Sequence, residues 1–272
     1  MTDTQEDAIL TNWPAPGIAR LVLARDATMN TLTWEMMDAM EAAFRAMIRA
    51  EPRAVIVTGR GRAFCGGAQL TYFTDPESPM TANPGGVRDV YVRRVLDVFG
   101  LLRRIPCPVI AAINGHALGG GMELAIACDF RLMSASARIG QPEVRLGLAA
   151  GGNGVQQLQR LVGRPAALDL LLSGDSITAE AALAMGLVGA VHAPDALLPA
   201  ALTFAERFLV CGPRAVAATK RAAYRTETAS PEEADAIALD AVFETFSTAE
   251  SREGMTAFVE KRPPAFAVKA PR

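Results

Sequence analysis

Along the first part of the chain, short apolar runs alternate with stretches of helical period. Residues 18–23 (IARLVL) and 54–58 (AVIVT) are brief, β-branched and bounded by Gly or Pro, and they predict strands. Between them, residues 33–50 place Trp34, Met37, Met40, Phe44, Met47 and Ile48 at spacings of three and four. That spacing predicts an amphipathic helix whose Met and aromatic stripe faces the core. Residues 70–90 concentrate Pro, Gly, Thr, Ser and Asn, so a long loop is expected there, of the kind that often walls a pocket. Residues 91–104 then predict a helix stopped by Pro106 and Pro108. The apolar run 109–113 (VIAAI) predicts a buried strand, followed by a glycine cluster and a helix over 122–128. A further short strand is expected at 130–133 and a strand-like run at 187–192, with Ala- and Leu-rich helical runs between them. From Asp195 onward the pattern is helical only, with Ser230 before Pro231 and Glu232 as a helix start. Alternation of β and α elements followed by helices predicts an α/β core over residues 1–195 and a helical region over 196–272.

Half of the 272 residues are hydrophobic and 21% are charged, which selects an ordinary globular chain and excludes a disordered one. A net charge of -2 supplies no broad attraction to nucleic acid or anionic lipid, so neither partner is expected. No apolar run approaches the ~20 residues that cross a bilayer, and the polar start MTDTQED lacks the order of a secretory leader. A cytoplasmic protein without a membrane partner is the expectation. Cys65, Cys107, Cys128 and Cys211 are scattered, form no CxxC and have two histidines for company, so no metal site is expected. Buried free thiols are expected instead.

Two glycine-containing turns stand out, each a weak signal by itself. Phe64-Cys65-Gly66-Gly67-Ala68-Gln69-Leu70 follows one predicted strand, and Asn114-Gly115-His116-Ala117-Leu118-Gly119-Gly120-Gly121-Met122-Glu123 follows another and opens a helix. Glycines at such places let backbone amides approach a ligand and face negative charge. Neither turn has the GxGxxG or Gly-Lys-Ser/Thr of a nucleotide loop, and the absence of GxSxG removes the serine hydrolases that also use glycine-rich turns. His116 and His192 have no Ser or Cys partner at a matching motif and are read as structural. Taken alone, Glu123 is a carboxylate favoured by a helix N-terminus, and Glu143, in Gln141-Pro142-Glu143, is a solvated turn charge.

Taken together, the string PVIAAINGHALGGGMELAIACDFRLMSASARIGQPEVRLGL resembles the central signature of the crotonase superfamily, that of enoyl-CoA hydratases and isomerases. RAFCGGAQL is similar to that family's upstream oxyanion segment, and EGMTAFVEKRPPAF to its ending; the likeness runs from about residue 18 to 266. The resemblance implies a spiral of ββα units followed by an α-helical trimerisation region, with trimers often stacked as hexamers. It implies an oxyanion hole made by the amides of Ala68 and Gly120, and catalytic side chains at Glu123 and Glu143. Arg25, Cys65, Gly66, Gln69, Leu70, Gly119, Gly151, Phe258 and Lys261 match positions near substrate or CoA, Lys261 commonly reaching the CoA phosphates of a neighbouring subunit. Coenzyme A enters as part of the acyl-CoA thioester, so no separate cofactor and no metal are implied.

This chemistry explains the parts. Hydrating a 2-enoyl thioester places negative charge on the thioester oxygen, and losing one fixed donor to such an oxygen costs roughly 3 to 4 kcal/mol of barrier. One carboxylate must then take a proton from water while another delivers one to the α carbon, each transfer worth about 10²- to 10⁴-fold. The expected assignment is Glu123 as the base toward water and Glu143 as the acid toward the α carbon. The expected activity is enoyl-CoA hydratase. The alternatives on the same fold are an enoyl-CoA isomerase or another enolate-forming reaction such as decarboxylation, and outside it a non-catalytic thioester- or RNA-binding role. Gln69 stands where hydratases of the family commonly have Asp, and Leu148-Ala149-Ala150-Gly151-Gly152 replaces a more usual Ile-Pro-Gly turn. Both departures bear on acyl specificity.

Overall fold

The computed structural model describes residues 7–266. Its strands are β1 (Ile9–Ala15), β2 (Ile18–Leu23), β3 (Ala54–Gly59), β4 (Ala63–Cys65), β5 (Val109–Ile113), β6 (His116–Leu118), β7 (Phe130–Ser134), β8 (Arg138–Gly140), β9 (Ser176–Thr178) and β10 (Ala190–His192). The helices of the first half are α1 (Trp34–Ala50), α2 (Thr71–Thr74), α3 (Pro84–Gly86), α4 (Arg93–Gly100) and α5 (Gly120–Ala127). Those that follow are α6 (Gly154–Val162), α7 (Arg164–Ser173), α8 (Ala179–Ala184), α9 (Leu197–Glu206), α10 (Pro213–Thr226), α11 (Pro231–Phe246) and α12 (Ala249–Val259).

The strands form two sheets, ordered β1-β2-β3-β5-β7-β10 and β4-β6-β8-β9. Each of the pairs β3/β4, β5/β6 and β7/β8 gives one strand to each sheet, with helices closing the turn, which is a spiral of ββα units. From β2 to β10 the larger sheet is parallel, and β1 joins antiparallel at its edge. The residues of β5 are all buried because both faces are covered, the condition under which a strand reads as one apolar run. On one face α1 contributes Met36, Met37 and Met40; on the other, Leu197, Ala201 and Ala205 of α9 pack on Ile18, Ile56 and Ile110. Asn114 stitches the turns together, its Oδ1 accepting from Gly59 N at 2.8 Å and its Nδ2 donating to Gly61 O at 3.0 Å.

The C-terminal helices are tied to this core at a half-buried ion pair among other contacts. Lys220 Nζ donates to Asp129 Oδ2 at 2.6 Å and to the carbonyls of Cys107 and Leu102, while Tyr224 donates to Asp129 Oδ1 at 2.7 Å. Helix α11 begins in a capping box between Ser230 and Glu233. Beyond it the surface carries exposed Leu239, Val242, Phe243, Phe246, Phe258 and Val259.

Several expectations need correction. The segment 70–90 is not all loop: it contains α2, and helix begins at Pro84, before Tyr91, because Asn83 Oδ1 accepts from Gly86 N at 2.9 Å and proline suits the first helical position. A π-helical turn, Val87–Val92, then leads into α4. The helix expected over 122–128 starts at Gly120. The edge strand β1 was not expected, since its sequence ILTNWPA lacks a sustained apolar alternation, and neither were the three-residue strands of the smaller sheet. The cysteines are free, with Cys65, Cys107 and Cys128 buried and Cys211 only half-buried.

Candidate active site

Parallel pairing of β4 with β6, Cys65 opposite Ala117, sets the two glycine turns side by side. Gly67 has φ +92°, and a Cβ there would lie 2.6 Å from Leu118 O and 3.4 Å from Gly120 N. A Cβ on Gly121 would collide with the Cys65 carbonyl. Contact this close explains why small residues occupy both turns. Leu32 lies across the first turn: it forms a parallel bridge with Ala68, and its N–H donates to Gly67 O at 2.8 Å. In a parallel bridge of this kind one residue, here Leu32, pairs with the peptides flanking its partner, and the partner's own N–H, here that of Ala68, points away from it. Gly119 N donates to Gly140 O at 2.9 Å, and Gly119 O accepts from Glu123 N at 3.0 Å, which fixes the peptide preceding Gly120 N. Among the described residues neither Ala68 N nor Gly120 N donates to another backbone group, so both are available to a ligand oxygen.

Glu123 is buried in the first turn of α5. Its Oε1 accepts from Gly152 N at 2.7 Å and Gly154 N at 2.9 Å. Burial pushes its pKa up to about 7; the nearby Glu143 adds to the rise, while the Gly154 and Gly152 amides oppose it. Glu143, in the 3₁₀ turn Pro142–Leu146, is half-buried, and desolvation raises its pKa as well. Buried Gln141 sits beside it, and with its amide oriented to satisfy both groups its nitrogen donates to the two Glu143 oxygens at 3.0 and 2.9 Å. The two carboxyl groups therefore share one site, with proton affinities shifted toward neutral pH, where such groups exchange protons readily.

Ala68, Gly120, Glu123 and Glu143 line one cavity of about 350 Å³, whose remaining wall is mostly apolar, with Leu32, Phe73, Met80, Tyr91, Val95 and Leu148. Two larger hollows, about 740 and 540 Å³, lie against α10 and contain neither carboxylate. A cavity that combines an apolar chamber with two free amides and two carboxyl groups can hold a carbonyl compound and move protons at its neighbouring carbons. Among the described residues no group of three or more His, Cys, Asp or Glu side chains is placed to hold a metal ion.

The other expected positions divide. Gly151 lines the cavity. A Cβ on Gly119, at φ +55°, would lie 2.9 Å from Glu143 Oε1. Gly66 donates to Met29 O, and Cys65 is a buried thiol whose pKa burial pushes up to about 12, so it serves as packing. Gln69 accepts from Thr31 Oγ1 at 2.8 Å and donates to Thr71 Oγ1 at 2.8 Å, holding the segment after Ala68 without capping α2. Leu70 is exposed beside it, and Arg25 stands at the end of β2, its N–H donating to Asn30 Oδ1. Phe258 and Lys261 lie at the end of α12, away from this cavity in the same chain. Sequence reasoning passed over Leu32, Tyr91, Gln141 and Gly154, and met Gly152 only as part of a turn bearing on acyl specificity. Of these only Gln141, adjacent to the motif that holds Glu143, carried a local signal.

The profile of a family described as enoyl-CoA hydratase/isomerase matches residues 15–269. The chain is 39% identical over 248 residues to a crotonyl-CoA hydratase of Syntrophomonas wolfei, an alignment covering 90% of this chain and 92% of the relative. It is 36% identical over 253 residues to an (E)-benzylidenesuccinyl-CoA hydratase of Thauera aromatica, covering 92% and 95%. The crystal structure of an enoyl-CoA hydratase from Bacillus anthracis superposes with a TM-score of 0.88 at 32% identity, covering 96% of this chain and all of that one.

Proposed function

The chain belongs to the enoyl-CoA hydratase/isomerase family, and from that premise we propose that it hydrates a 2-enoyl-CoA thioester to the 3-hydroxyacyl-CoA. One observation carries the reading: two carboxyl groups and two unengaged amides border a single apolar chamber. The thioester oxygen accepts from Ala68 N–H and Gly120 N–H, which stabilise the charge that develops when the β carbon is attacked. Glu123, ionised and steadied by the Gly152 and Gly154 amides, takes a proton from water as its oxygen bonds to the β carbon. Glu143 gives its proton to the α carbon, and the electron pair of the enolate closes that C–H bond. Gln141 then donates to the carboxylate so formed. Carboxylates serve both transfers, so the reaction as proposed draws on no cofactor beyond the CoA carried by the substrate. Double-bond migration needs a single proton-carrying carboxylate; a second one, with its own amide partner, favours hydration.

We further read the exposed apolar stripe of Leu239, Val242, Phe243 and Phe246 with Phe258 and Val259 as a subunit interface, and propose a trimer or a pair of stacked trimers. In that assembly Phe258 and Lys261 reach the CoA of a neighbouring subunit. Free thiols at all four cysteines support a reducing, cytoplasmic location; among the described residues no helix is long and apolar enough to cross a membrane.

The test is to follow loss of the conjugated thioester with short, medium and aryl enoyl-CoA substrates, in wild type and in Glu123→Gln and Glu143→Gln. Hydration by wild type with a loss of at least a hundredfold in each variant is expected. Full activity in both variants would remove the acid/base pair.

A further inference from the structure

Leu32 touches both glycine turns. Its backbone is bridged to Ala68, and its Cδ1 lies within 2.6 Å of where a Cβ on Gly120 would stand. The Leu32 carbonyl is itself held, accepting from the Tyr91 hydroxyl at 2.8 Å in a buried bond. The peptide that carries the Ala68 N–H is therefore held at its other edge, Gly67 O accepting from Leu32 N–H, while Tyr91 holds the Leu32 carbonyl. A trans peptide is planar, so fixing Gly67 O also fixes the direction of the Ala68 N–H at its opposite edge.

Tyr91 is at the same time part of the acyl chamber. It lines the cavity from the π-helical turn Val87–Val92, and such turns recur at functional sites. Its ring meets Phe73 edge-on at 5.1 Å and Trp34 at 5.5 Å, in a cluster completed by Tyr72 at 6.2 Å. These contacts leave the ring little freedom, so the position of the hydroxyl follows the packing of the chamber.

Resting on the hydratase reading, we infer that Tyr91 is a positioning residue for the thioester carbonyl: through Leu32 it aims the Ala68 amide, and through its ring it couples that aim to the acyl group in the chamber. The substrate then does more than fill space. An acyl chain that seats against Tyr91 keeps the donor aligned, and one that displaces the ring turns the donor away, so chain shape is read in kcat as well as in KM.

The experiment compares Tyr91→Phe, which keeps the ring and removes the hydroxyl, with Phe73→Leu, which loosens the same cluster and leaves the hydrogen bond. Two quantities are read. One is the kcat and KM split for hydration. The other is the red shift of a bound para-amino-substituted cinnamoyl-CoA, whose conjugated carbonyl absorbs at longer wavelength as its oxygen accepts stronger hydrogen bonds. Tyr91→Phe is expected to lose about half or more of the red shift and roughly tenfold in kcat with KM little changed, a smaller loss than the 10²–10³ seen when a donor is removed outright. Phe73→Leu is expected to lose a smaller part of the shift and to raise KM. An unaltered shift in Tyr91→Phe overturns the inference whatever happens to kcat, and so does an equal loss of shift in Phe73→Leu, which would assign the effect to packing. A wild-type protein that shifts the chromophore but hydrates nothing refutes the hydratase reading and leaves the spectral comparison to judge Tyr91. A wild type that gives no shift overturns the inference about Tyr91, and the hydration assay alone then judges the hydratase reading.

Discussion

Replacing Glu123 by Gln should abolish hydration and yet stabilise the folded chain at alkaline pH. Glu123 is 3% exposed, and burial raises its pKa from an ordinary 4.5 to about 7. A carboxyl whose proton affinity rises on folding favours the fold fully below its unfolded pKa and loses that contribution as pH climbs through the folded value. At about 1.4 kcal/mol per tenfold change in proton affinity, ionising Glu123 in the folded protein costs about 3 kcal/mol, most of it incurred between pH 5 and pH 8.5. Glutamine is isosteric, carries no charge and still offers an oxygen to the Gly152 and Gly154 amides. The variant should therefore melt near wild type at pH 5 and roughly 5 °C above it at pH 8.5, taking about 2 °C per kcal/mol for a chain of this size. Scanning calorimetry at the two pH values is the assay. A difference in Tm that is the same at both, or a wild type that is the more stable one at pH 8.5, would refute the claim that the buried charge is held at the expense of stability.

Three further outcomes follow from the same geometry. If Glu123 must be ionised to take the proton from water and Glu143 protonated to give one, kcat should follow a bell, rising with pH as Glu123 ionises and falling as Glu143 loses its proton; a profile flat from pH 5.5 to 8 would contradict that assignment. A Cβ introduced by Gly152→Ala would collide with Glu123 Oε2 and lie 2.8 Å from Val95 Cγ1, so kcat should fall at least about tenfold with the overall fold retained, as steady-state kinetics and circular dichroism would register. Lys220→Met leaves the half-buried Asp129 carboxylate without its cation and should lower stability by about 2 to 3 kcal/mol in urea unfolding, short of the loss at a fully buried pair, while a change under 1 kcal/mol would show that Tyr224 and Val109 N–H suffice to hold it.

Elements whose own residues dictate them could be read from the chain. The buried strands β3 and β5 and the Met-striped helix α1 declare themselves, since apolar period and burial coincide there. The helix before Arg93 did not, because Gly85 and Gly86 read as loop while the Asn83 cap that starts it depends on one side-chain hydrogen bond. The strands of the smaller sheet, three residues each, are too short to show a period and exist through their neighbours. The site divides the same way. Glu123, Glu143, Ala68 and Gly120 stand in distinctive motifs, whereas Tyr91 and Leu32 are ordinary apolar positions whose importance lies in a hydrogen bond between residues far apart in sequence. Gly152 and Gly154 matter for amides that point at a carboxylate on another helix, which no local pattern encodes.

The parallel pairing that joins β4 to β6 has a kinetic corollary. Parallel partners need a full crossover between them, and Ala68 and Gly120 meet only after the intervening α4 and β5 have been wound in, so the chamber is built almost wholly from high-contact-order pairings. During refolding, helical signal should recover ahead of turnover, and partly wound intermediates should be chemically silent. Reactivity would arrive in one late step, with closure of the spiral.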